Sequence, residues 1–576
     1  MFNIGWKDFE KDHRRTVSEC FPYNEIRPQQ KSILDSIDKI YSMGDKYRYI
    51  VIEAGTGIGK SAIAKAISVK EGESYLLTAT KQLQDQYVDD FSYLSTSAIK
   101  GSANYHCEIQ PGFDCSSGEC TFEEGLYQEC LKTNKCPYIN AKRKAEASEM
   151  YVTSYAYFLR ASKTSKNKTK FLPRNVIIVD ECHMLEDQLI NFAGFTLNRE
   201  KLSKKYDLDG DLDFKEAILY NMDFESNKIE DNRQWIIFIL TLLKTKKICL
   251  MEKANLIKNG DRNLMSADEI EELEEVDVKK ILQDVDSIKT LIEKVDEFLQ
   301  ADDLDNWIIT VDKDSLSVKP INIDNLFKKL IDGFATHKII FMSATILDKE
   351  GFCKDMGISS NDTAFITRDG TFDPKRSPIV YNPIGSMNYQ NLNTTMPYII
   401  QEIKIILKQH KNEKGVIHTG TYAIAKQITD AINSSRLVFR EYVESNEALI
   451  QFHAQTKKNT VLVSPSMMAG VDLADDLSRF QIVVKLPYIS LADERVKRKM
   501  NKDKKWYTCK MLRNLIQECG RSTRSEDDWS VTYVLDNAFE LALKYNKKWF
   551  QPSFLNRVVN VSNFDLKSFR KQMKKK

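Results

Sequence analysis

The chain has 576 residues, of which 84 are basic and 82 acidic, and its formal net charge is +2. This length exceeds what one hydrophobic core supports, so we expect three or four domains, and the charge balance excludes a strongly basic or acidic chain but not a local positive groove. The longest apolar run, residues 235–243, is too short to cross a membrane, and no basic-then-apolar export signal begins the chain. We therefore expect a soluble intracellular protein whose 11 cysteines are thiols or metal ligands rather than disulfides.

The first hundred residues predict an α/β unit with a phosphate-binding loop. A short apolar strand at residues 49–53 leads into residues 54–61 (Ala-Gly-Thr-Gly-Ile-Gly-Lys-Ser), and a helical segment at 61–69 and a strand at 74–78 follow. Strand, glycine turn and helix in this order are the context that such a loop requires, because glycine lets the backbone approach phosphate closely. The first glycine of the general motif is Ala54 here.

Residues 101–140 break this pattern with five cysteines. Apolar periodicity disappears there, so the segment cannot build its own hydrophobic core and needs a cross-link such as a bound metal to stabilise its fold. Soft thiolates select either Zn²⁺ or an iron–sulfur cluster; the lack of a Cys-x-x-Cys pair weakens a zinc ribbon, but the residues alone do not choose the metal. The five are Cys107, Cys115, Cys120, Cys130 and Cys136.

The remaining chain alternates between helical and α/β segments. Apolar side chains recur every three or four positions from Ile281 to Leu299, which indicates a helix with one buried stripe in a helix bundle. Segments 307–311 and 315–319 predict a hairpin. Other strands are expected at residues 175–180, 338–342, 415–418, 460–464, 481–486 and 530–535.

Four residues supply the chemical roles of ATP hydrolysis beside the loop backbone. Lys60 would bring positive charge to the β- and γ-phosphates, and the Ser61 hydroxyl suits Mg²⁺. Asp180, at a strand end, would hold Mg²⁺ through water, and Glu181 would orient the attacking water.

Two arginines near the C-terminus are candidates for stabilising the transition state. Arg521 and Arg524 are three residues apart and share a helix face. A guanidinium on the γ-phosphate is worth ~10³–10⁵ in rate in known phosphoryl-transfer systems. Most surface arginines instead form solvated salt bridges, so it is the other motor residues that favour the catalytic interpretation.

As an ordered set, the motifs of this chain resemble those of the XPD/DinG iron–sulfur group of superfamily 2 helicases. Residues 180–183 (Asp-Glu-Cys-His) match the Asp-Glu-x-His box, and residues 343–345 (Ser-Ala-Thr) match the motif that couples hydrolysis to movement. Residues 200–330 match the family only in position. The other matching motifs are residues 27–30, 54–61, 78–83, 416–422, 470–473 and 517–524.

The resemblance implies an α/β fold with two RecA-like parallel-sheet motor domains. A small iron–sulfur cluster domain and a helical arch domain are inserted in the first. The implied boundaries are residues 1–100, 141–195 and 331–350 for motor domain 1, 101–140 for the cluster domain, 196–330 for the arch-like insert, and 351–576 for motor domain 2.

The resemblance also assigns residues to ligands. Expected nucleotide contacts are Arg27, Gln30, Gly55, Thr56, Gly57, Gly59, Lys60, Ser61, Asp472 and Gln517. The tracking strand is the nucleic acid strand along which such a helicase moves, and its expected contacts are Thr80, Gln82 and Thr419. Cys107 and Cys136 resemble the first and last cluster ligands, and the expected 4Fe–4S ligands are Cys107, Cys120, Cys130 and Cys136, with Cys115 possible in place of Cys120.

The implied function is an ATP-dependent DNA helicase that works as a monomer in the cytoplasm or on the nucleoid. It would translocate 5′→3′ on single-stranded DNA and open forked DNA, with the cluster domain as part of the wedge. The main alternative is a translocase that strips proteins from DNA without extensive unwinding. A nuclease would need an acidic metal site in an extra N-terminal domain, for which residue 27 in the first motif leaves no room, and a non-catalytic scaffold would not need Lys60, Glu181 and Arg524 intact.

Overall fold

The computed structural model describes the greater part of the chain. The predicted site residues Thr56, Asp472 and Arg524 lie outside the described residues. The described residues are 15–55, 57–118, 120, 124–164, 171–198, 200–202, 229–259, 278–312, 315–439, 446–465, 473, 475–523, 525 and 527–573.

Strands and helices alternate over most of the described chain. The strands are β1 (Tyr49–Ala54), β2 (Ser74–Thr78), β3 (Thr96–Ile99), β4 (Met150–Ser154), β5 (Arg174–Asp180), β6 (Phe195–Asn198), β7 (Trp307–Asp312), β8 (Ser315–Pro320), β9 (Ala335–Ser343), β10 (Thr363–Arg368), β11 (Ile379–Gly385), β12 (Gly415–His418), β13 (Leu437–Phe439), β14 (Val461–Ser464), β15 (Phe480–Val483), β16 (Val531–Asp536) and β17 (Val558–Asn560). The helices are α1 (Pro28–Ser42), α2 (Lys60–Glu71), α3 (Lys81–Phe91), α4 (Glu124–Thr133), α5 (Pro137–Ala147), α6 (Tyr155–Thr164), α7 (Leu185–Ala193), α8 (Ile229–Asn259), α9 (Val278–Leu299), α10 (Asp324–Leu330), α11 (Lys349–Met356), α12 (Leu392–Gln409), α13 (Tyr422–Ile432), α14 (Asn446–Gln455), α15 (Glu494–Lys502), α16 (Lys504–Cys519), α17 (Ala538–Asn546), α18 (Pro552–Leu555) and α19 (Leu566–Met573).

A parallel sheet organises the first motor domain. Its described strands follow the order β10-β1-β9-β5-β2-β4-β3. Every residue of β1 and β2 is buried, because apolar side chains of the flanking helices cover both faces of the sheet. The strands predicted at residues 49–53, 74–78 and 175–180 are confirmed as β1, β2 and β5.

The first sheet extends further along the chain than its predicted end at residue 350. Strand β10 pairs in parallel with β1, from Tyr49 with Thr363 to Ala54 with Arg368. The predicted boundary is therefore too early, and the chain passes to the second sheet between β10 and β11. The motif order did not reveal this, because β10 is a short strand beyond the Ser-Ala-Thr motif and its partner lies about three hundred residues earlier.

The segment between β6 and β8 contains the helical insert. Helices α8 and α9 pack against each other through apolar side chains, which include the buried Ile288 and Val295 of the predicted stripe. The predicted hairpin is confirmed as β7 and β8, which pair antiparallel and form a small sheet with β6. Among the helices of the described residues, none is both long enough and apolar enough to cross a membrane.

A second parallel sheet organises the C-terminal motor domain. Its described strands follow the order β13-β14-β12-β15-β16-β11-β17. Strands β12, β14, β15 and β16 confirm the predicted segments at 415–418, 460–464, 481–486 and 530–535. The fold therefore has two RecA-like parallel-sheet domains with insertions in the first, as the sequence predicts.

The buried His418 at the end of β12 is expected to make the stability of the second domain depend on pH. Burial, opposed by a hydrogen bond with Gln481 and reinforced by the Arg521 charge, lowers the pKa of His418 to about 4. The unfolded chain binds this proton near pH 6.5, so up to about 3 kcal/mol of stability that is present above that pH is lost as pH falls toward 4. We expect His418→Gln to lose less stability than the parent protein when urea unfolding is compared at pH 7 and pH 5. Equal losses in the two proteins would contradict this assignment.

Candidate active site

The phosphate loop connects β1 to α2 and is shaped by glycines. Gly57 and Gly59 have φ angles of +85° and +84°, in the left-handed region that favours glycine. A Cβ at Gly59 would lie 2.5 Å from the amide nitrogen of Gln30. Lys60 begins α2, and its Nζ donates to the Ala54 carbonyl at 3.2 Å. The loop therefore has the strand–turn–helix geometry of a phosphate cradle.

Arg27 and Gln30 border this loop from the start of α1. The Arg27 guanidinium donates to the Gly57 carbonyl at 3.0 Å, and the side-chain oxygen of Gln30 accepts from the Arg27 backbone N–H at 3.0 Å. Gln30 is buried. These two predicted nucleotide contacts thus lie directly beside the phosphate loop.

The acidic end of β5 shares its surroundings with Lys60. The buried Asp180 carboxylate accepts from the Tyr87 hydroxyl and from the Glu181 backbone N–H, both at 3.0 Å. Burial and the neighbouring Glu181 charge raise the pKa of Asp180 to about 6, and the Lys60 charge opposes that rise. Ser61 is half-buried on the first turn of α2. These residues are therefore assembled at the carboxyl end of the first sheet, where ligands of parallel α/β sheets bind.

Two features of this strand end could not be read from the sequence. Glu181 has a φ angle of +51°, a conformation that costs a non-glycine residue on the order of 1–3 kcal/mol and is concentrated at functional sites. Tyr87 is fully buried on α3 and holds the Asp180 carboxylate through its hydroxyl. Neither a local motif nor helical spacing distinguishes Tyr87 from an ordinary core tyrosine.

His183 connects the two motor domains through a chain of hydrogen bonds. The Gln517 amide group on α16 donates to His183 Nε2 at 2.7 Å and to the Thr345 hydroxyl at 3.2 Å. The His183 ring proton is consequently on Nδ1, which lies 3.0 Å from Ser343 Oγ and 3.3 Å from Glu181 Oε2. Burial lowers the pKa of His183, which favours the neutral ring. Three predicted motifs therefore meet at one imidazole.

Arg513 on α16 and Arg521 in the turn after it interact with different domains. Arg521 is buried, and its charge acts on His418 and Glu518 of the second domain. Arg513, which the sequence reasoning missed, donates to the Ile346 carbonyl of the first domain at 3.3 Å. It lies one helical turn before Gln517, and this spacing is the signal that could have identified it.

A cleft between the two domains is lined by residues of both. Gly55, Gly370 and Phe372 line it from the first domain, and Gly520 and Thr523 line it from the second. A ligand between the domains would touch the phosphate loop on one side and the residues that follow α16 on the other.

The five clustered cysteines lie together at one side of the first domain. Cys115 and Cys136 are buried, with their sulfur atoms 3.9 Å apart. Burial and the thiols around them raise the pKa values of Cys115 and Cys120 to about 12, the nearest thiols being Cys136 and Cys130 respectively. The sulfurs form the interior of the segment with Ile139 and partly buried neighbours, which fits a segment without an aliphatic core.

The chemistry of these thiols suits a metal cluster, whereas their arrangement in the described residues is not that of a metal site. Within the described residues, no group of three or more His, Cys, Asp or Glu side chains has the arrangement of a metal site. Five soft donors in one set, three of them buried and two partly buried, nevertheless exceed the four that an iron–sulfur cluster needs. The donor set therefore fits a thiolate-bound cluster with one cysteine to spare.

Two family models match parts of the chain, one containing the Asp-Glu-x-His box and the other the motif at residues 517–524. The DEAD_2 model matches residues 81–202, and the helicase C-terminal domain model matches residues 404–553. A probable ATP-dependent helicase of Methanocaldococcus jannaschii is 21% identical over 620 aligned positions, which cover 91% of this chain and 93% of the relative. The chain is similar to the XPD/DinG-like superfamily 2 helicases.

Solved XPD structures share the architecture of this XPD-like helicase. One described as an XPD helicase has a TM-score of 0.66 at 16% identity and covers 93% of this chain and 100% of its own. The Xpd4 structure of S. tokodaii has a TM-score of 0.58 at 12% identity, with the same coverage. Both likenesses concern the fold. The family matches and the helicase relative support an ATP-hydrolysing helicase.

The predicted strand contacts of the XPD-like helicase differ in accessibility. Gln82 is exposed on α3, whereas the Thr80 hydroxyl caps that helix by accepting from the Leu83 N–H at 3.3 Å. Thr419 is fully buried, and its hydroxyl lies 3.1 Å from both the Thr421 and the Ser464 carbonyl oxygen, either of which can accept its hydrogen. The core therefore holds the Thr419 hydroxyl, and a contact from this residue to the nucleic acid stays a prediction.

Proposed function

We propose that this XPD-like helicase moves 5′→3′ along single-stranded DNA and separates duplexes as a monomer. The observation that carries the proposal is the 2.7 Å hydrogen bond between His183 and Gln517. It joins the Asp-Glu-x-His box of one motor domain to the last motif of the other. A change at the γ-phosphate can therefore alter the relative position of the two sheets, which is what a motor requires.

The proposed ATP chemistry divides the work between the two domains. The loop glycines and Lys60 would bind the phosphates, and Ser61 and Asp180 would hold Mg²⁺, which neutralises phosphate charge when bound. Glu181 would orient and polarise the attacking water, with the His183 Nδ1–H beside its carboxylate. Residues of the second domain would complete the site in the closed state: Asp472, Gln517, Arg521 and Arg524.

The proposed cluster is a 4Fe–4S group that staples the cysteine segment. Iron–thiolate bonds would supply the folding free energy that an aliphatic core supplies in other domains. Cys107, Cys130 and Cys136 are common to both candidate ligand sets, and either Cys120 or Cys115 completes the four. The neighbouring pair Cys120 and Cys130 supports the first choice, and the 3.9 Å approach of Cys115 to Cys136 supports the second.

The position of the cysteine segment supports a role in strand separation. The segment lies between β3 and β4, and β3 is at the edge of the first sheet. Each base-pair step lost on opening a duplex costs on average about 1.4 kcal/mol in stacking. A stapled segment beside the path of the strand could act as a rigid wedge, so that translocation does this work. Grip on the strand would come from phosphate contacts and base stacking, with little sequence preference.

Unwinding of tailed duplexes tests the proposed function. We expect ATP-dependent opening of a duplex with a 5′ single-stranded tail, no opening of the matching 3′-tailed duplex, and about four iron atoms per chain in the same sample. The control is the parent protein with a non-hydrolysable ATP analogue. Opening from the 3′ tail alone would refute the polarity. Displacement of streptavidin from a biotinylated strand without duplex opening would favour the translocase, and a requirement for an RNA tail would change the tracking strand.

A further inference from the structure

A buried ionic cluster joins the two motor domains beside the ATP site. Glu186, on α7 of the first domain, is only 4% exposed. Its Oε1 accepts from Arg495 Nη2 at 2.8 Å and from Lys499 Nζ at 2.6 Å. Its Oε2 lies 3.0 Å from Lys510 Nζ and accepts from the Trp506 indole N–H at 3.3 Å. All four partners come from α15 and α16 of the second domain.

The same cations reach further parts of the chain. Arg495 also donates to the carbonyls of Pro320 and Ile321, at 3.0 and 2.9 Å, where β8 returns from the helical insert. Lys499 pairs with Asp355 at 2.8 Å, and Lys510 pairs with Asp187 at 3.1 Å. The cluster therefore connects α7, which follows the Asp-Glu-x-His box, with the base of the insert and with α16, which carries Gln517.

Glu186 is the common partner of this cluster. The charges of Lys510, Lys499 and Arg495 outweigh burial and hold the pKa of Glu186 well below its usual range, so the side chain is ionised. Removing the carboxylate would leave three cations close together with exposures of 5 to 7%. Lys499 and Lys510 would keep Asp355 and Asp187, but Arg495 would lose its one carboxylate partner among the described residues. A buried charge that loses its partner is strongly destabilised, so the helices would have to separate or admit water.

Two residues of the cluster are near in sequence to His183 and Gln517, whose hydrogen bond links the two motor domains. Glu186 follows His183 by three residues, and Lys510 precedes Gln517 by seven residues, or two turns of α16. We infer that Glu186 is a positioning residue that holds α16 against α7 and thereby keeps Gln517 in reach of His183. The inference rests on the proposed roles of Glu181 and Gln517 in ATP hydrolysis and adds a residue that no motif contains.

Glu186→Gln tests this inference because it removes the charge with little change in shape. We expect kcat for ATP hydrolysis with single-stranded DNA to fall by about tenfold, since small misplacements in an active site have effects of this size or larger. The KM for ATP should stay within about twofold, because the phosphate loop is not touched. Glu494→Gln is the matched control: this carboxylate lies on α15 and contacts only Arg498 and Lys497 among the salt bridges of the described residues.

A double-variant comparison separates positioning from a general loss of structure. If Glu186 acts through Gln517, then adding Glu186→Gln to Gln517→Ala should lower kcat no further than Gln517→Ala alone. Lys510→Met, which removes a cation from the other domain, should lower kcat in the same way. Stoichiometric binding of a non-hydrolysable ATP analogue and the thermal midpoint report the folded fraction in each variant.

Three results would overturn the inference. One is a kcat fall for Glu186→Gln smaller than about fivefold. Another is a larger fall that is matched by an equal loss of nucleotide-binding stoichiometry, and a third is a fall that adds fully to that of Gln517→Ala. A parent protein and a Glu494→Gln variant that both lack DNA-stimulated hydrolysis would refute the proposed function first, and the inference with it.

Discussion

Lys60→Ala is expected to lower DNA-stimulated ATP hydrolysis by at least about 10²-fold, the scale of effect seen when one preorganised charge stabiliser is removed from an active site. Lys60 begins α2 at the phosphate loop, and its charge acts on the buried Asp180. Its loss removes positive charge from the β- and γ-phosphates and from beside the acidic strand end. Phosphate release with a tailed oligonucleotide measures the effect.

Lys70→Ala provides the matched control, because Lys70 is on the last turn of the same helix. It should retain the parental rate. The thermal midpoints of both variants show whether the helix remains folded. Hydrolysis by Lys60→Ala at the parental rate would mean that the phosphate loop, the end of β5 and the motif at residues 517–524 do not act on one triphosphate.

Cys136→Ser is expected to remove the iron–sulfur cluster and abolish strand separation. Cys136 is buried among the other thiols and directly precedes α5. Both candidate ligand sets contain it, so its loss should release iron and unfold the cysteine segment before the motor domains. ATP hydrolysis should remain measurable, because Lys60, Asp180 and Glu181 lie in a different part of the first domain. The measurements are iron content, visible absorbance, unwinding of a 5′-tailed duplex and phosphate release, all on one preparation.

Cys249→Ser is the control for this experiment, since Cys249 is exposed on α8 and outside the thiol set. Cys115→Ser and Cys120→Ser then decide the ligand set. The variant that loses iron identifies the ligand, and the one that keeps it identifies the spare cysteine. Unwinding by Cys136→Ser without a cluster would contradict the structural role of the metal.

The strands of both sheets could be predicted because their signals are local. Runs such as β1, β2 and β12 are short and largely apolar, β1 and β12 contain isoleucine and valine, and each run begins or ends near a glycine or a polar residue. A strand buried on both faces favours apolar side chains at most positions, whatever its neighbours are. Strand β10 was missed as part of the first sheet because pairing partners are not encoded in the strand itself.

In the candidate site too, residues that belong to a local sequence pattern could be predicted, whereas contacts between distant segments could not. Glycines and a lysine in fixed order predict a phosphate loop, since the close approach of backbone to phosphate imposes residue types at set positions. The buried Glu53 of β1 shows what such patterns omit: its carboxylate accepts from the backbone N–H groups of Ile346 and Leu347 at 2.8 and 2.9 Å. Nothing near residue 53 indicates those donors, which lie almost three hundred residues away.

By itself, the sequence determined the chemistry available to this helicase: a phosphate loop, an acidic strand end, a set of thiols and paired arginines. Only the tertiary structure decided which of these groups meet. It brought His183 to Gln517 and enclosed Glu186 among three cations, while it buried the hydroxyl of Thr419 in the core. The physical reason is that local spacing sets backbone conformation, whereas burial and charge compensation depend on segments that are distant in the chain and adjacent only after folding.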